Sequence, residues 1–283
     1  MALEAVLVVV ATALFGVVVW IAAFLLRRAW LRSRDPEPLA WWRLVFPLFA
    51  GAVVLAFLIG WALQEPNPAD EQTGIGLLVL ATLTAGISLR ALIRSAHAVR
   101  SSAVARVAVG TVGLVKPEVI VSEEFERIAS RTVLAAAIAH ETAHVRGLDP
   151  LRIWFAQLAA DLQWPIPGTD RRFSAWLLAL EAERDDEALA AGTAAEDLAE
   201  AILNAARLQC GLATALCASM AGAGDGIGWR VRRLLAADGP VGAARPRAFW
   251  VVRVSCGAIL VGAVWLGLTY GDALLRMVPG IGP

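Results

Sequence analysis

Four stretches of this chain run for 18 residues or more without a charged side chain: Val6–Leu26, Leu44–Leu63, Gln72–Leu89 and Val254–Gly271. An α-helix needs about 20 consecutive apolar residues to cross a bilayer, because each residue advances it about 1.5 Å through a hydrocarbon core of about 30 Å. Composition points the same way. The chain is 58% hydrophobic and 18% charged, where a soluble domain carries about 25% charged residues. The sequence therefore predicts a mainly α, multi-pass membrane protein with four transmembrane helices. The first run is too long for a cleaved signal peptide and lacks its small-residue exit. No ionisable group interrupts the runs to serve as an ion or proton pathway, which argues against a transporter.

The flanking charges predict an orientation. Arg27, Arg28, Arg32, Arg34 and Arg43 follow the first run, whereas residues 64–71 hold Glu65, Asp70 and Glu71 and no base. Arg90, Arg94, Arg100 and Arg106 follow the third run, and Arg230, Arg232, Arg233, Arg245, Arg247 and Arg253 precede the fourth. Basic segments stay on the cytoplasmic side. The expectation is a bacterial cytoplasmic membrane protein with its N-terminus outside and residues 90–250 in the cytoplasm. Overall, 25 basic residues balance 25 acidic ones, so nothing draws the chain to nucleic acid. Cys210, Cys217 and Cys256 form neither a CxxC pair nor an even disulfide set and read as small apolar fillers.

The insert before the last run carries the chemistry. Val104–Val121 is rich in β-branched residues and broken by Gly110, Gly113 and Pro117, which predicts two short strands. The short strand ending near Val121 could hold an extended peptide by edge pairing. Ser130 or Thr132 is positioned to cap a helix from Thr132 to Arg146, with Gly147 as its stop. On that helix lies His140-Glu141-Thr142-Ala143-His144, which uses two of the three histidines. Histidines at i and i+4 share one face, so both imidazoles can reach one Zn²⁺ and Glu141 can act as general base on a water there. The third histidine, His97, follows the third run among arginines and reads as a surface residue.

A third ligand is sought in the acidic segment Glu181-Ala182-Glu183-Arg184-Asp185-Asp186-Glu187. Glu181 and Asp185 are i and i+4 on one helix face, with Glu183 on the opposite side. Glu181 can bind metal while Asp185 holds a ligand histidine in the tautomer that ligation needs. Elsewhere, Leu151–Trp164 reads as a helix lying on the membrane or packed beneath it, and Ala194–Met220 as a helix. Residues 225–228 read as a loop, and the basic helix Trp229–Leu235 as an anchor facing lipid headgroups.

The segment GLVKPEVIVSEEFERIAS, then LAAAIAHETAHVRGLDPL, then EAERDDEAL, resembles the membrane zinc metallopeptidases of the BlaR/MecR type. It is similar, more distantly, to the CAAX-prenyl and heat-shock membrane proteases, which share HExxH with a downstream ExxxD. The likeness covers about residues 104–205 and the four-run layout. It implies a gluzincin-like pair of catalytic helices within a zincin-like domain: His140, His144 and Glu181 on zinc, Glu141 as base, Asp185 behind a histidine. Residues after the fourth run are too few for the sensor domain that antibiotic-sensing members carry there, so a member without it is expected.

The expected organisation is three transmembrane helices in 1–95, a cytoplasmic zinc metallopeptidase domain with a small β element in 96–248, and the fourth helix with a short outer tail in 249–283. The expected activity is zinc-dependent cleavage of a cytoplasmic or juxtamembrane segment of a regulatory protein, such as a repressor or a membrane-bound regulator. Two other readings stand beside it: broad quality control of membrane proteins, and a non-enzymatic signalling or assembly partner. The expected partners are that protein substrate and the lipid bilayer, with no nucleic acid; nothing in the sequence sets an oligomeric state.

Overall fold

A computed structural model describes residues 37–64, 75–102, 108–212, 221–236 and 248–275. Helices dominate: α1 (Glu37–Gln64) and α2 (Ile75–Ser102) precede strands β1 (Val109–Val112) and β2 (Glu118–Val121). There follow α3 (Glu123–Ile128), α4 (Arg131–Gly147), α5 (Asp149–Leu162), α6 (Thr169–Ala190), α7 (Ala195–Leu212), α8 (Ala221–Leu235) and α9 (Ala248–Leu275). The chain divides into two compact units, one of residues 1–91, 159–169 and 244–283, the other of 92–158 and 170–243.

In the first unit, α1 and α9 pack along each other. Gly60 permits the approach, since a Cβ there would lie 2.1 Å from the Val264 carbonyl oxygen. Pro47 stands inside α1, where it has no N–H to give the preceding turn. One carbonyl of that turn, Leu44, accepts a hydrogen bond from the buried Gln163 amide at 2.7 Å. Arg90 reaches Asp161 at 3.5 Å and lies over the Trp164 ring.

These helices correct the expectation of four transmembrane spans. No helix among the described residues is long and apolar enough to cross a membrane. The multi-pass fold class loses its support, and so does the placement in a cell membrane with the N-terminus outside and a cytoplasmic catalytic domain. The physical reason lies in what surrounds the uncharged runs. Leu44–Leu63 belongs to a helix that also carries Glu37 and Arg43, both buried. The run ending at Leu89 continues without a break through Arg90, Arg94, His97 and Arg100. Some apolar residues on the helices of this unit serve helix packing, as Leu44, Ala40 and Ala263 do, while others such as Leu63 and Val261 are exposed; an apolar run alone does not tell a packed helix from one in lipid. Val6–Leu26 and the side chains of all three cysteines lie outside the described residues.

The second unit positions the site. The two short strands expected in this segment are present, and β1 and β2 pair antiparallel, Val109 opposite Val121 and Thr111 opposite Val119. Gly113 turns the hairpin at φ 97°, a region that disfavours side chains, and a Cβ there would strike the Lys116 carbonyl. Ser122 caps α3 and Ser130 caps α4, each hydroxyl accepting the backbone N–H three residues on at 3.2 Å. Thr132 is inside α4 and is not its cap. Below the hairpin, Phe125 is fully buried with Ala108, Val133, Ala137 and Ala201, a burial worth about 2–3 kcal/mol for the ring alone. A second cluster joins Ala136 to Ala188, Leu198, Ala199 and Leu234. Alanines on α4 thus let α7 approach on one side while β1 and β2 cover another.

Three local expectations change. Gly147 is still helical, and the left-handed stop is Leu148 at φ 51°, whose N–H bonds the His144 and Val145 carbonyls. Residues 225–228 are not a loop but part of α8, a case of packing overriding the low helix propensity of glycine: Gly226 lies with Leu178 3.6 Å from where a Cβ would be. The basic helix at 229–235 is no headgroup anchor either. Arg230 and Arg233 turn inward onto acidic residues of α6.

Candidate metal centre

α4 presents His140 and His144 one turn apart on a buried face, with the rings edge to face at 4.8 Å. Each ring is held from behind by a carboxylate. Asp149 Oδ2 lies 2.8 Å from His144 Nδ1. Asp185 Oδ1 lies 3.1 Å from His140 Nδ1, close enough for strong attraction but off the line of a straight hydrogen bond. A carboxylate at Nδ1 favours the tautomer with the proton there. Both Nε2 lone pairs then face the same point, 3.1 Å apart.

Glu181 completes the convergence from α6. Its Oε2 is 3.4 Å from His140 Nε2 and its Oε1 3.6 Å from His144 Nε2. The three residues can hold a metal ion, with all their ligand atoms within 4.8 Å of one another. The donor set fits in chemistry as well as distance. Two imidazoles and an anion brought this close call for positive charge among them, which protons on the rings supply when no metal is bound. Tetrahedral ligation at about 2.0–2.1 Å sets ligand atoms about 3.3 Å apart, which the observed separations bracket.

Glu141 is not in that group. Its carboxylate is held by the Thr111 hydroxyl of β1, which lies 2.8 Å from Oε2 and 3.1 Å from the Glu141 backbone oxygen. Glu183 also stands outside the group, as its place around α6 predicts. His97 is exposed and contributes nothing to it.

Residues with no assigned role in the sequence reading do much of the supporting. Asp149, wholly buried, accepts from Arg184 Nε at 2.5 Å and Nη2 at 3.0 Å, and from Arg152 at 2.9 Å. Gly147 makes room for this pair, since a Cβ there would lie 2.5 Å from Arg184 Nη2 and 2.7 Å from Asp149 Oδ1. Its glycine is a matter of space and not of φ. Arg184 also pairs with Glu187. Arg230 grips Asp185 side-on, Nε to Oδ2 at 2.9 Å and Nη2 to Oδ1 at 2.7 Å, and its Nη1 reaches Glu181 Oε2 at 2.8 Å. The need for an acceptor behind His144 was a signal for Asp149, the next acid along the chain. Arg230 and Thr111 carried no signal, being 90 and 30 residues from their partners.

The charges are strongly coupled. Burial opposes the charged form of His140, but Asp185 and Glu181 outweigh it and hold the pKa above its ordinary value. For His144 burial is likewise outweighed, by Asp149 and Glu181 with a smaller share from Glu141, and the pKa is pushed up to about 9. Burial would raise Glu181, yet the two histidines and Arg230 keep it well below the carboxylate range. Asp149 and Asp185 are lowered against their own burial by the histidine and arginine each one faces. At neutral pH all three carboxylates are ionised.

No family model matches the chain, and no curated protein or solved structure matches it either.

Proposed function

We propose that this protein is a zinc-dependent endopeptidase that hydrolyses a peptide bond in a segment of another protein. One observation carries the reading: two imidazoles and the Glu181 carboxylate converge on one point, with the carboxylate of Glu141, held by Thr111 on the same helix–hairpin junction, left outside the ligand set. Two nitrogens and one carboxylate suit a four-coordinate zinc ion with one position open, whereas calcium and magnesium favour more oxygen ligands.

When bound, the metal supplies a Lewis acid and a water of lowered pKa. The chain's own groups do the rest. Glu141 takes the water proton as the new C–O bond forms at the peptide carbonyl and returns it to the amide nitrogen as the C–N bond breaks. Asp149 and Asp185 keep the imidazoles aimed. Among the described residues β1 pairs with β2 alone, and an extended peptide paired along β1 would pass Thr111 and the base.

The resemblance to the BlaR/MecR type supports a regulatory protein, such as a repressor, as the substrate. The test is zinc analysis of the purified chain and digestion of a proteome-derived peptide library. Wild type should carry about one zinc and cleave, and Glu141→Gln should keep the zinc and stop cleaving, because the base is not a ligand. A wild-type chain that binds no zinc under metal-replete conditions, or a Glu141→Gln chain that cleaves normally, refutes the proposal.

A further inference from the structure

Amide hydrolysis places negative charge on the carbonyl oxygen, and a site that speeds the reaction offers fixed donors to that oxygen. Arg230 is the group built for this. Its guanidinium is locked by the side-on grip of Asp185, itself fully buried, and the side chain is only 12% exposed. The opposite edge of the fork faces the ligand atoms. Nη1 meets Glu181 Oε2 at 2.8 Å and Nη2 lies 3.5 Å from His140 Nε2.

The second contact is the informative one. Besides Asp185 Oδ1, His140 Nε2 is the only atom that Nη2 meets among the described residues. A metal held by His140 would occupy that nitrogen and leave the cationic N–H of Arg230, fixed and nearly buried, beside the ligand set without an acceptor, a costly arrangement. A substrate oxygen bound there would supply one.

Resting on the peptidase reading above, we infer that Arg230 is a catalytic residue: its Nη2–H, and the Nη1–H shared with Glu181, donate to the carbonyl oxygen of the scissile bond. As water adds, the carbonyl π pair moves onto oxygen, where Arg230 stabilises it. The pair returns as the C–N bond breaks, with the amine leaving on the proton carried by Glu141. Asp185 then serves two partners at once, positioning His140 through Oδ1 and Arg230 through both oxygens.

The experiment uses the full chain. Cleavage is followed on the best-cleaved library peptide, zinc affinity by competition with a chromophoric chelator, and binding of a phosphoramidate dipeptide by the visible spectrum of the cobalt-substituted protein. The phosphoramidate presents a tetrahedral oxyanion. Arg230→Gln should retain about one zinc, lose about 10²–10³-fold in kcat, and bind the phosphoramidate more weakly by a similar factor. Arg230→Lys keeps Asp185 paired if the glutamine variant fails to fold, and by losing the planar fork should still lose about tenfold or more on both measures. Zinc-loaded variants that match wild type within about threefold on both overturn the inference. Loss of zinc from both variants also overturns it, since Arg230 would then serve only to hold Glu181. If wild type neither cleaves nor binds the phosphoramidate, the peptidase reading fails first and takes this inference with it.

Discussion

Replacing Asp149 with asparagine keeps the shape of the side chain and removes its charge, and the structure sets the expected cost. Asp149 is fully buried and receives two hydrogen bonds from Arg184, one from Arg152 and one from His144. Arg152 is one-third exposed, so its pairing is worth under about 1 kcal/mol. Arg184 is 5% exposed, and stripping the partner from a buried charge costs about 3–5 kcal/mol. Glu187 remains as a second, half-exposed partner for Arg184, which places the expected loss near the lower end, about 3 kcal/mol. His144 loses the carboxylate that orients its ring, so zinc affinity should fall about 10 to 100-fold. Urea unfolding of chelator-treated protein reads the first quantity and chelator competition at pH 7 the second. A variant within about 0.5 kcal/mol of wild type, or one that holds zinc equally well, would show that the Asp149 network supports neither fold nor site.

Three further outcomes follow from the same geometry. Thr111→Val removes the hydroxyl on Glu141 without changing side-chain size, and should lower kcat about 10 to 100-fold with zinc affinity unchanged; equal rates on the library peptide would deny Thr111 a positioning role. Glu181→Ala should lose zinc while Glu183→Ala retains both zinc and turnover, and the opposite pattern in metal analysis would reassign the third ligand. The pKa of His144 rises from 6.5 to about 9 on folding without metal, a raised value, so its stabilising share is complete below pH 6.5 and is lost as pH climbs through about 9. That share is on the order of 3 kcal/mol, and His140 shifts in the same direction. Zinc must displace the His144 proton, so zinc affinity should increase over the same interval. Urea midpoints of chelator-treated protein that stay flat or rise between pH 7 and 9 would contradict this, and His144→Gln should reduce the slope to the share that His140 contributes.

Much of the candidate centre is legible in the sequence because helix geometry is local. His140 and His144 at i and i+4 must share a face, as must Glu181 and Asp185, and Glu183 must point elsewhere. The two short strands are legible for the same reason, since β-branched alternation broken by Gly113 and Pro117 is a local pattern; their antiparallel pairing came from the structure. The membrane spans show the limit of local reading. An uncharged run such as Leu44–Leu63 meets the needs of a lipid-facing helix and of one packed on its neighbours alike, so the run by itself does not distinguish them.

What the sequence determined, then, is the donor chemistry: two imidazoles, a glutamate between them and an acid on a second helix, each placed by a period of about 3.6 residues. Tertiary structure decided which charges stand behind those donors. His144 draws on Asp149 only because Leu148 enters the left-handed region and swings the chain back. Arg184 reaches Asp149 only because Gly147 leaves it room. Arg230 and Thr111 arrive from a distant helix and a strand, through packing of α7 against α4 and α8 and of the hairpin on α4. Long-range electrostatic partners have no sequence period to betray them; burial selects them, because a charge removed from water must meet its counter-charge wherever the fold brings one.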